Sequence, residues 1–537
     1  MPLMTICPQV LKAQFEAAKE EVAFLDVREH GEYGEAHPFH AVNLPFSQFE
    51  LLLEQLVPRR DVTMVLFDQQ DDCRARACAR AAEGLGYTRV YVLSGGANGW
   101  SAAGYTLFAG VNVPSKTFGE LVHEVFATPS ISATRLAEWQ NTGLPVTVLD
   151  GRTPTEYRKM SIPGSYACPN GELALRAVHM IPDIERPVVV NCAGRTRSII
   201  GAQTLRWLGI SNPVYALENG TQGWRLGGLS LEEGQARLYP DVVKPTLEQA
   251  RHVQCHSIEQ GAIALSAPEA RIWLTEQKTT TYLFDVRTAE EYARGHLPGA
   301  VHAPGGQLVQ ATDHWIGVTG ARVILVDDDG CRAPMVAAWL SLMGIKSAWF
   351  SGNQEEWQQY NPEPASSRVR ALLPSLAELT LDAEILSAST VLDCRPSSVF
   401  RQGHLSLAHW VNRSRLFRQL AAIAPRQPIV LVATDADGTR LIAHDLLAEG
   451  YEVRGWWPWD PTTAEAAGLA VAQTPDTPPD ADCVDFLFFV HDRHDGNLDA
   501  ARRYLAWETG LLAQLDTEEL STFRLPSTPA DQAEKTV

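Results

Sequence analysis

The stretch TVLDGR, residues 147–152, is a short apolar strand ending in Asp-x-Arg, and it decides the fold because it does not stand alone. The same ending occurs in AFLDVR at Asp26 and Arg28, in LFDVR at Asp285 and Arg287, and in VLDCR at Asp393 and Arg395. A Glu-Tyr pair follows three of the four, as Glu32-Tyr33, Glu156-Tyr157 and Glu291-Tyr292. A turn comes next, as SIPGS from Ser161, GHLPGA from Gly295, a weaker GHLSLA from Gly403 and a looser HPFHAVNLP in the first copy. Gly and Pro mark the change of direction there.

Further along, every copy shows a second apolar strand (TMVLF, PVVVN, RVILV, PIVLV), a polar loop and an amphipathic helix. Those helices close at GLGY, WLGI, LMGI and AEGY, where Gly suits the left-handed cap that stops a helix. From the strand Asp to the Arg after the second strand, the separation is 47 residues for Asp150 to Arg197, Asp285 to Arg332 and Asp393 to Arg440, and 48 for Asp26 to Arg74. Three copies end on a Gly-rich turn with Trp, at Trp100, Trp224 and Trp357, while the fourth has GWWPW. These Trp side chains read as packing anchors over a sheet. Recurrence at a fixed period marks tandem structural units. Strands alternating with helices imply a mainly parallel sheet with helices on both faces.

The chain therefore divides into units at 1–112, 113–242, 243–366 and 367–473, followed by 474–537 as linker and tail. The Pro- and Asp-rich stretch from Thr474 to Asp480 reads as the linker, and NLDAARRYLAWETGLLAQL as a tail helix that packs back on the body. A length of 537 residues fits such a series of compact units.

Composition narrows the function. A net charge of -19 argues against nucleic acid and against an anionic membrane surface, since both are bound through surplus Lys and Arg. An anionic substrate must then be held by local cations and amide dipoles. The N-terminal residues carry no secretory pattern, no apolar run is long enough to span a bilayer, and nine scattered cysteines read as reduced thiols. A cytoplasmic location is the expectation. His491 and His494 in HDRHD have a spacing that suggests a metal, yet read better as a solvated loop, and no metal or cofactor is assigned.

The chemistry points to NCAGRTRS, placed after the strand PVVV and at the head of a helix. Amides at a helix start lack intrahelical partners and carry partial positive charge, so they stabilise an anion in the loop. A thiol there, flanked by Arg, ionises readily, which makes Cys192 the candidate nucleophile. Gly194 lets the backbone approach a ligand closely, and Arg195 and Arg197 supply charge-assisted donors for oxyanions. Asp150 and Arg152 read as a supporting ion pair that fixes the loop rather than as acid-base catalysts.

Cys192 and Arg197 with four residues between, on a strand-loop-helix scaffold, resemble the rhodanese active-site loop. The Asp-x-Arg strand, the Glu-Tyr pair, the Pro-Gly turn and the closing Gly-Trp are rhodanese-like as well, and the resemblance extends to about residue 473. It implies an α/β architecture of four tandem rhodanese-like domains, each a mainly parallel sheet flanked by helices, plus a helical C-terminal tail. By the same resemblance Cys192 attacks the outer sulfur of thiosulfate, sulfite leaves, and the persulfide passes its sulfur to cyanide or a thiol, a protein thiol included. Ala193, Gly194, Arg195, Thr196, Arg197 and Ser198 then form the amide cradle, with Arg195 and Arg197 on the sulfonate.

Spacing places Gln69, Asp327 and Asp435 where Cys192 stands, none of them a sulfur nucleophile, so the other three units read as structural or partner-binding. Cys73 and Cys331 lie just before the matching Arg and read as buried thiols rather than sulfur relays. Phosphatases and arsenate reductases of this fold resemble Cys, five residues, Arg; four residues enclose a smaller pocket that favours sulfur. Mercaptopyruvate enzymes resemble a different loop, CG-(S/T)-G-V-T, which CAGRTR matches poorly. Persulfide donors and a non-catalytic sulfur-binding scaffold remain as alternatives.

Overall fold

A computed structural model describes residues 3–70, 73–241, 243–352, 368–380, 383–424, 428–488 and 497–526. The apolar strands Val22–Asp26, Thr63–Phe67, Val188–Asn191 and Arg322–Val326 are buried at every residue. Strands with no exposed face need cover on both sides, and helices supply it. In the second repeat the sheet runs Ser130–Ile131, Val214–Leu217, Val188–Asn191, Thr147–Asp150, Tyr166–Ala167, all parallel. The first and third repeats have five-stranded sheets in the same order. The fourth has four parallel strands, and a single bridge of Glu378 to Trp456 stands where the others have an edge strand. None of the helices among the described residues is long and apolar enough to cross a membrane.

Sheet register aligns the repeats more directly than residue counting. Asp26 pairs with Phe67, Asp150 with Asn191, Asp285 with Val326 and Asp393 with Val432. The next residue is therefore Asp68, Cys192, Asp327 or Ala433. This corrects Gln69 and Asp435: counting back from the loop Arg conceals a longer loop in the first repeat, and a shorter crossover with a longer loop in the fourth.

The Asp-x-Arg pair is a staple common to all four repeats. Arg152 donates Nε to Asp150 Oδ1 at 2.9 Å and Nη2 to Asp150 Oδ2 at 2.7 Å, and reaches the Met160 carbonyl at 2.6 Å. Arg28, Arg287 and Arg395 likewise bond their own Asp and the carbonyls of Ala36, Gly295 and Gly403. The buried pair thus ties the strand end to the turn that follows it.

The repeats group in two compact units. One contains residues 1–13, 22–111 and 366–488, and so joins the first repeat to the fourth; the other contains 14–21, 112–365 and 489–537, and joins the second to the third. In the first unit Arg413 bonds Glu50 at 2.6 and 2.9 Å and Asp445 at 2.8 Å. The stretch expected to be a linker packs within this unit: Arg401 donates to the Pro478 carbonyl, and Gly31 N donates to Val484 O at 2.7 Å. In the second unit the buried Arg332 bonds Glu172 and Glu291, and Arg176 bonds the same two carboxylates. Trp207 and Trp339 stack beside this network with centroids 4.1 Å apart. His491 and His494 lie outside the described residues.

Candidate active site

The catalytic loop emerges where the strand Val188–Asn191 ends. Asn191 Nδ2 donates to Asp150 Oδ2 at 2.8 Å, which ties the strand end to the Asp-x-Arg staple. The helix begins at Thr196 and runs to Trp207, so Arg197 and Ser198 belong to its first turn and the loop proper is only Cys192 to Arg195. This helix is buried from Thr196 to Leu205, as a helix at the centre of a unit must be.

The Gly-rich turn before Trp224 anchors the loop. Thr221 N donates to Cys192 O at 2.8 Å, and Gln222 donates to Ala193 O from N at 3.2 Å and from Nε2 at 3.0 Å. Gly220 has φ +53, and a Cβ there would lie 2.1 Å from Cys192 O, so only glycine permits this approach.

Around the thiol, Cys192 Sγ lies 3.6 Å from Ser198 Oγ. Among the described residues none accepts a hydrogen bond from the amides of Ala193 to Ser198. Those donors lie at the start of the helix Thr196–Trp207, where partial positive charge adds to them.

The sibling repeats show what such a ring of amides takes. In the third repeat Asp327, aligned with Cys192, accepts from Gly330 N at 3.0 Å and from Ala333 N at 2.8 Å. In the first, Asp68 accepts from Ala75 N at 2.9 Å. Ala333 corresponds to Ser198 by its spacing from the aligned residue, so in the third repeat the Asp327 carboxyl accepts from the amide that Ser198 carries in the second. Burial and the nearby Asp329 carboxylate push the Asp327 carboxyl up.

Both loop arginines are gripped by carboxylates. Arg197 donates to Glu156 at 2.8 and 2.7 Å, and Arg195 donates to Glu120 at 2.7 and 2.8 Å. Burial alone would raise the Glu156 carboxyl and discourage charge on Arg197. Their mutual attraction wins, holding Glu156 well below the usual carboxylate range and Arg197 firmly protonated. The hydrogen bond to Glu120 raises Arg195 in the same way. The charges of Arg195 and Arg197 are thus already balanced in part by Glu120 and Glu156.

Glu156 comes from the Glu-Tyr pair, whose work the sequence reading did not assign. Glu32 bonds Arg74 at 2.6 Å and Glu291 bonds Arg332 at 2.6 Å in the same manner. The signal lay in co-occurrence: the fourth repeat has Val399 and Phe400 instead, and its Arg440 turns to the carbonyls of Pro374, Arg370 and Leu373. Glu508, which also reaches the loop at Gly194, and its partner Lys116 gave no signal in sequence. Glu508 accepts from Thr196 Oγ1 at 2.9 Å and from Lys116 Nζ at 3.1 Å. A small cleft bounded by His123, Arg195, Ser198, Leu217 and Asn219 adjoins the loop.

Of the other thiols near a loop, Cys331 is fully buried, and burial with Asp329 and Asp327 pushes it up, which opposes a thiolate. Cys73 is exposed at the head of its helix.

The family model for the Rhodanese-like domain matches residues 8–103, 132–226 and 266–360. A crystal structure of thiosulfate sulfurtransferase from Pseudomonas aeruginosa is 37% identical, covers 98% of this chain and 100% of its own, and superposes with a TM-score of 0.88. SseB of Mycobacterium tuberculosis, a protein assigned but not established as a thiosulfate sulfurtransferase, is 27% identical over 199 residues in strains CDC 1551 and H37Rv. That match covers 33% of this chain and 66% of SseB. With a family model matched over more than half its length and a 37% identical relative spanning nearly all of it, the chain belongs to the rhodanese-like family.

Proposed function

We propose that this protein is a sulfurtransferase that takes sulfane sulfur from thiosulfate on Cys192 and delivers it to cyanide or a thiol. The observation that carries the reading is the cradle itself. The amides of Ala193 to Ser198, next to Cys192 in the chain, have no acceptor among the described residues, while in the third repeat Asp327, aligned with Cys192, accepts from the corresponding loop.

The Cys192 thiolate attacks the outer sulfur of thiosulfate, the sulfur–sulfur bond breaks, and sulfite departs with the electron pair. A persulfide anion remains on Cys192, stabilised by the amides of Ala193 to Ser198. Cyanide or a thiolate then attacks the terminal sulfur, giving thiocyanate or a new persulfide and returning the Cys192 thiolate. Arg197, oriented by Glu156, faces the charge that develops at the loop, and Asp150 with Arg152 holds the strand end in place.

One observation favours a second donor class. Because Arg195 and Arg197 each spend two donors on a carboxylate, a singly charged persulfide fits the site as well as a dianion does. Incubation with thiosulfate, followed by sulfite release, intact mass and thiocyanate formation on adding cyanide, tests the main reading. Wild type should gain one sulfur, and Cys192→Ala should gain none and lose turnover. Sulfur uptake from a low-molecular-weight persulfide but not from thiosulfate would replace the donor. Turnover surviving in Cys192→Ala would sink the assignment.

A further inference from the structure

The helix Leu498–Thr509 near the C-terminus lies on the catalytic loop. Its buried residues, Ala500, Ala501, Tyr504, Leu505 and Glu508, recur at helical spacing on one face. That helix contacts the helices Val113–Val125 and Gly220–Leu226, which flank the loop. A Cβ at Gly194 would stand 2.9 Å from Glu508 Oε2 and 3.4 Å from Tyr504 Cε1, so the helix rests directly on loop backbone. Cys192 and Ala193 are only 2% and 3% exposed.

The contact is made by an acid where packing alone would favour an apolar residue. Glu508 is wholly buried, and its Oε1 joins Thr196, in the first turn of the catalytic helix, to Lys116 of the helix Val113–Val125. Lys116 Nζ in turn lies 5.6 Å from the centre of the Tyr504 ring. A buried carboxylate is unfavourable unless paired, and the bonds to Thr196 and Lys116 are made while the C-terminal helix sits on the loop.

Resting on the sulfurtransferase reading above, we propose that Glu508 is a positioning residue that latches the C-terminal helix over the Cys192 loop and confines sulfur exchange to small donors and acceptors. Thiosulfate, cyanide and small thiols fit this class, and a small cleft lined by Arg195 and Ser198 lies beside the loop. A cysteine carried on a folded protein is excluded while the latch holds.

Timed alkylation of the full-length protein tests the latch without using the reaction. Wild type, Glu508→Ala, Glu508→Gln and Tyr504→Ala are treated with iodoacetamide or with a maleimide bearing a long polyethylene-glycol chain. Mass spectrometry follows the Cys192 peptide, which separates it from the exposed Cys7, Cys73 and Cys255. The bulky reagent should be slow on wild type and at least about tenfold faster on Glu508→Ala, with iodoacetamide changing far less. Gln retains the hydrogen-bond acceptor and should fall between. If Glu508→Ala proves unfolded by circular dichroism, Tyr504→Ala carries the comparison. Equal size discrimination in wild type and the folded variants overturns the latch. A large contrast in labelling from a protein that takes no sulfur from thiosulfate would uphold the latch and remove the donor assignment instead.

Discussion

Glu156 and Arg197 meet through two hydrogen bonds of 2.8 and 2.7 Å, and the arginine that ends the Cys192 loop is thereby oriented before any substrate arrives. The same bond from a Glu-Tyr pair to a loop-end Arg recurs in the first and third repeats, neither of which has a thiol at the aligned position. The pair therefore shapes the loop first and serves chemistry second.

Glu156→Gln keeps the shape and removes the charge. One N–H···O bond remains possible, the second donor of Arg197 loses its acceptor, and the guanidinium is no longer fixed. The value of kcat/KM for thiosulfate should fall about tenfold, the size of one charge-assisted contact. Steady-state sulfite release measures it, and an unchanged value would mean that other contacts set Arg197.

Ser198→Ala removes the hydroxyl that lies 3.6 Å from Cys192 Sγ. The hydroxyl proton goes to the Arg195 carbonyl at 2.7 Å and serves the sulfur anion only by turning away from it, so Cys192 alkylation by iodoacetamide and thiosulfate turnover should both slow, by less than about tenfold. A loss of turnover with alkylation untouched would place the hydroxyl on the substrate rather than on the thiol.

Arg332→Met leaves Glu172, Glu291 and Asp329 without the buried cation that joins the second and third repeats. Breaking such a network by removing one partner costs about 3–5 kcal/mol, read as a fall in the urea midpoint. Burial would raise Glu291, but Arg332 lowers it to about 2 from an ordinary 4.5. A carboxyl depressed in the folded state adds stability above its ordinary value and loses it as pH falls toward the depressed one. Wild type should thus lose stability between about pH 5 and 2, and the variant should lose less of it over that range.

Asp327→Ala vacates the acceptor that the third repeat places against Gly330 N and Ala333 N. Sulfate should then raise the melting temperature of the variant and leave wild type unmoved, since binding to the folded state alone stabilises it. The raised Asp327 carboxyl supports the fold fully below the ordinary carboxylate range, and that support is lost as pH rises. The variant should accordingly improve against wild type on going from acid to alkaline pH. No response to sulfate would show that the loop closes once its carboxylate is gone.

The repeat, the parallel sheets and the Cys192 loop were legible because each depends on local pattern: apolar runs, glycine turns and a thiol at a helix head. What stayed hidden depends on partners distant in sequence. Glu156 finds Arg197 41 residues on, and Thr196 finds Glu508 312 residues on. Nothing in the tail's helical pattern singles out one carboxylate among its charges. The residue aligned with Cys192 in the third repeat offered no nucleophile to the sequence reading; in the structure the Asp327 carboxyl accepts from two loop amides. Grouping of the first repeat with the fourth was equally out of reach, because Glu50 and Arg413 acquire meaning only when paired.

That grouping sets a timetable for synthesis. Glu50 and its partner Arg413 are 363 residues apart, while both inner repeats lie between them. At about 5–20 residues per second the first repeat waits roughly 20–70 s on the ribosome before the surface that covers it exists. The inner pair, contiguous in the chain, can assemble during that interval. The helix Leu498–Thr509 over the Cys192 loop is made later still, so neither unit has all its contacts until the fourth repeat has been synthesised.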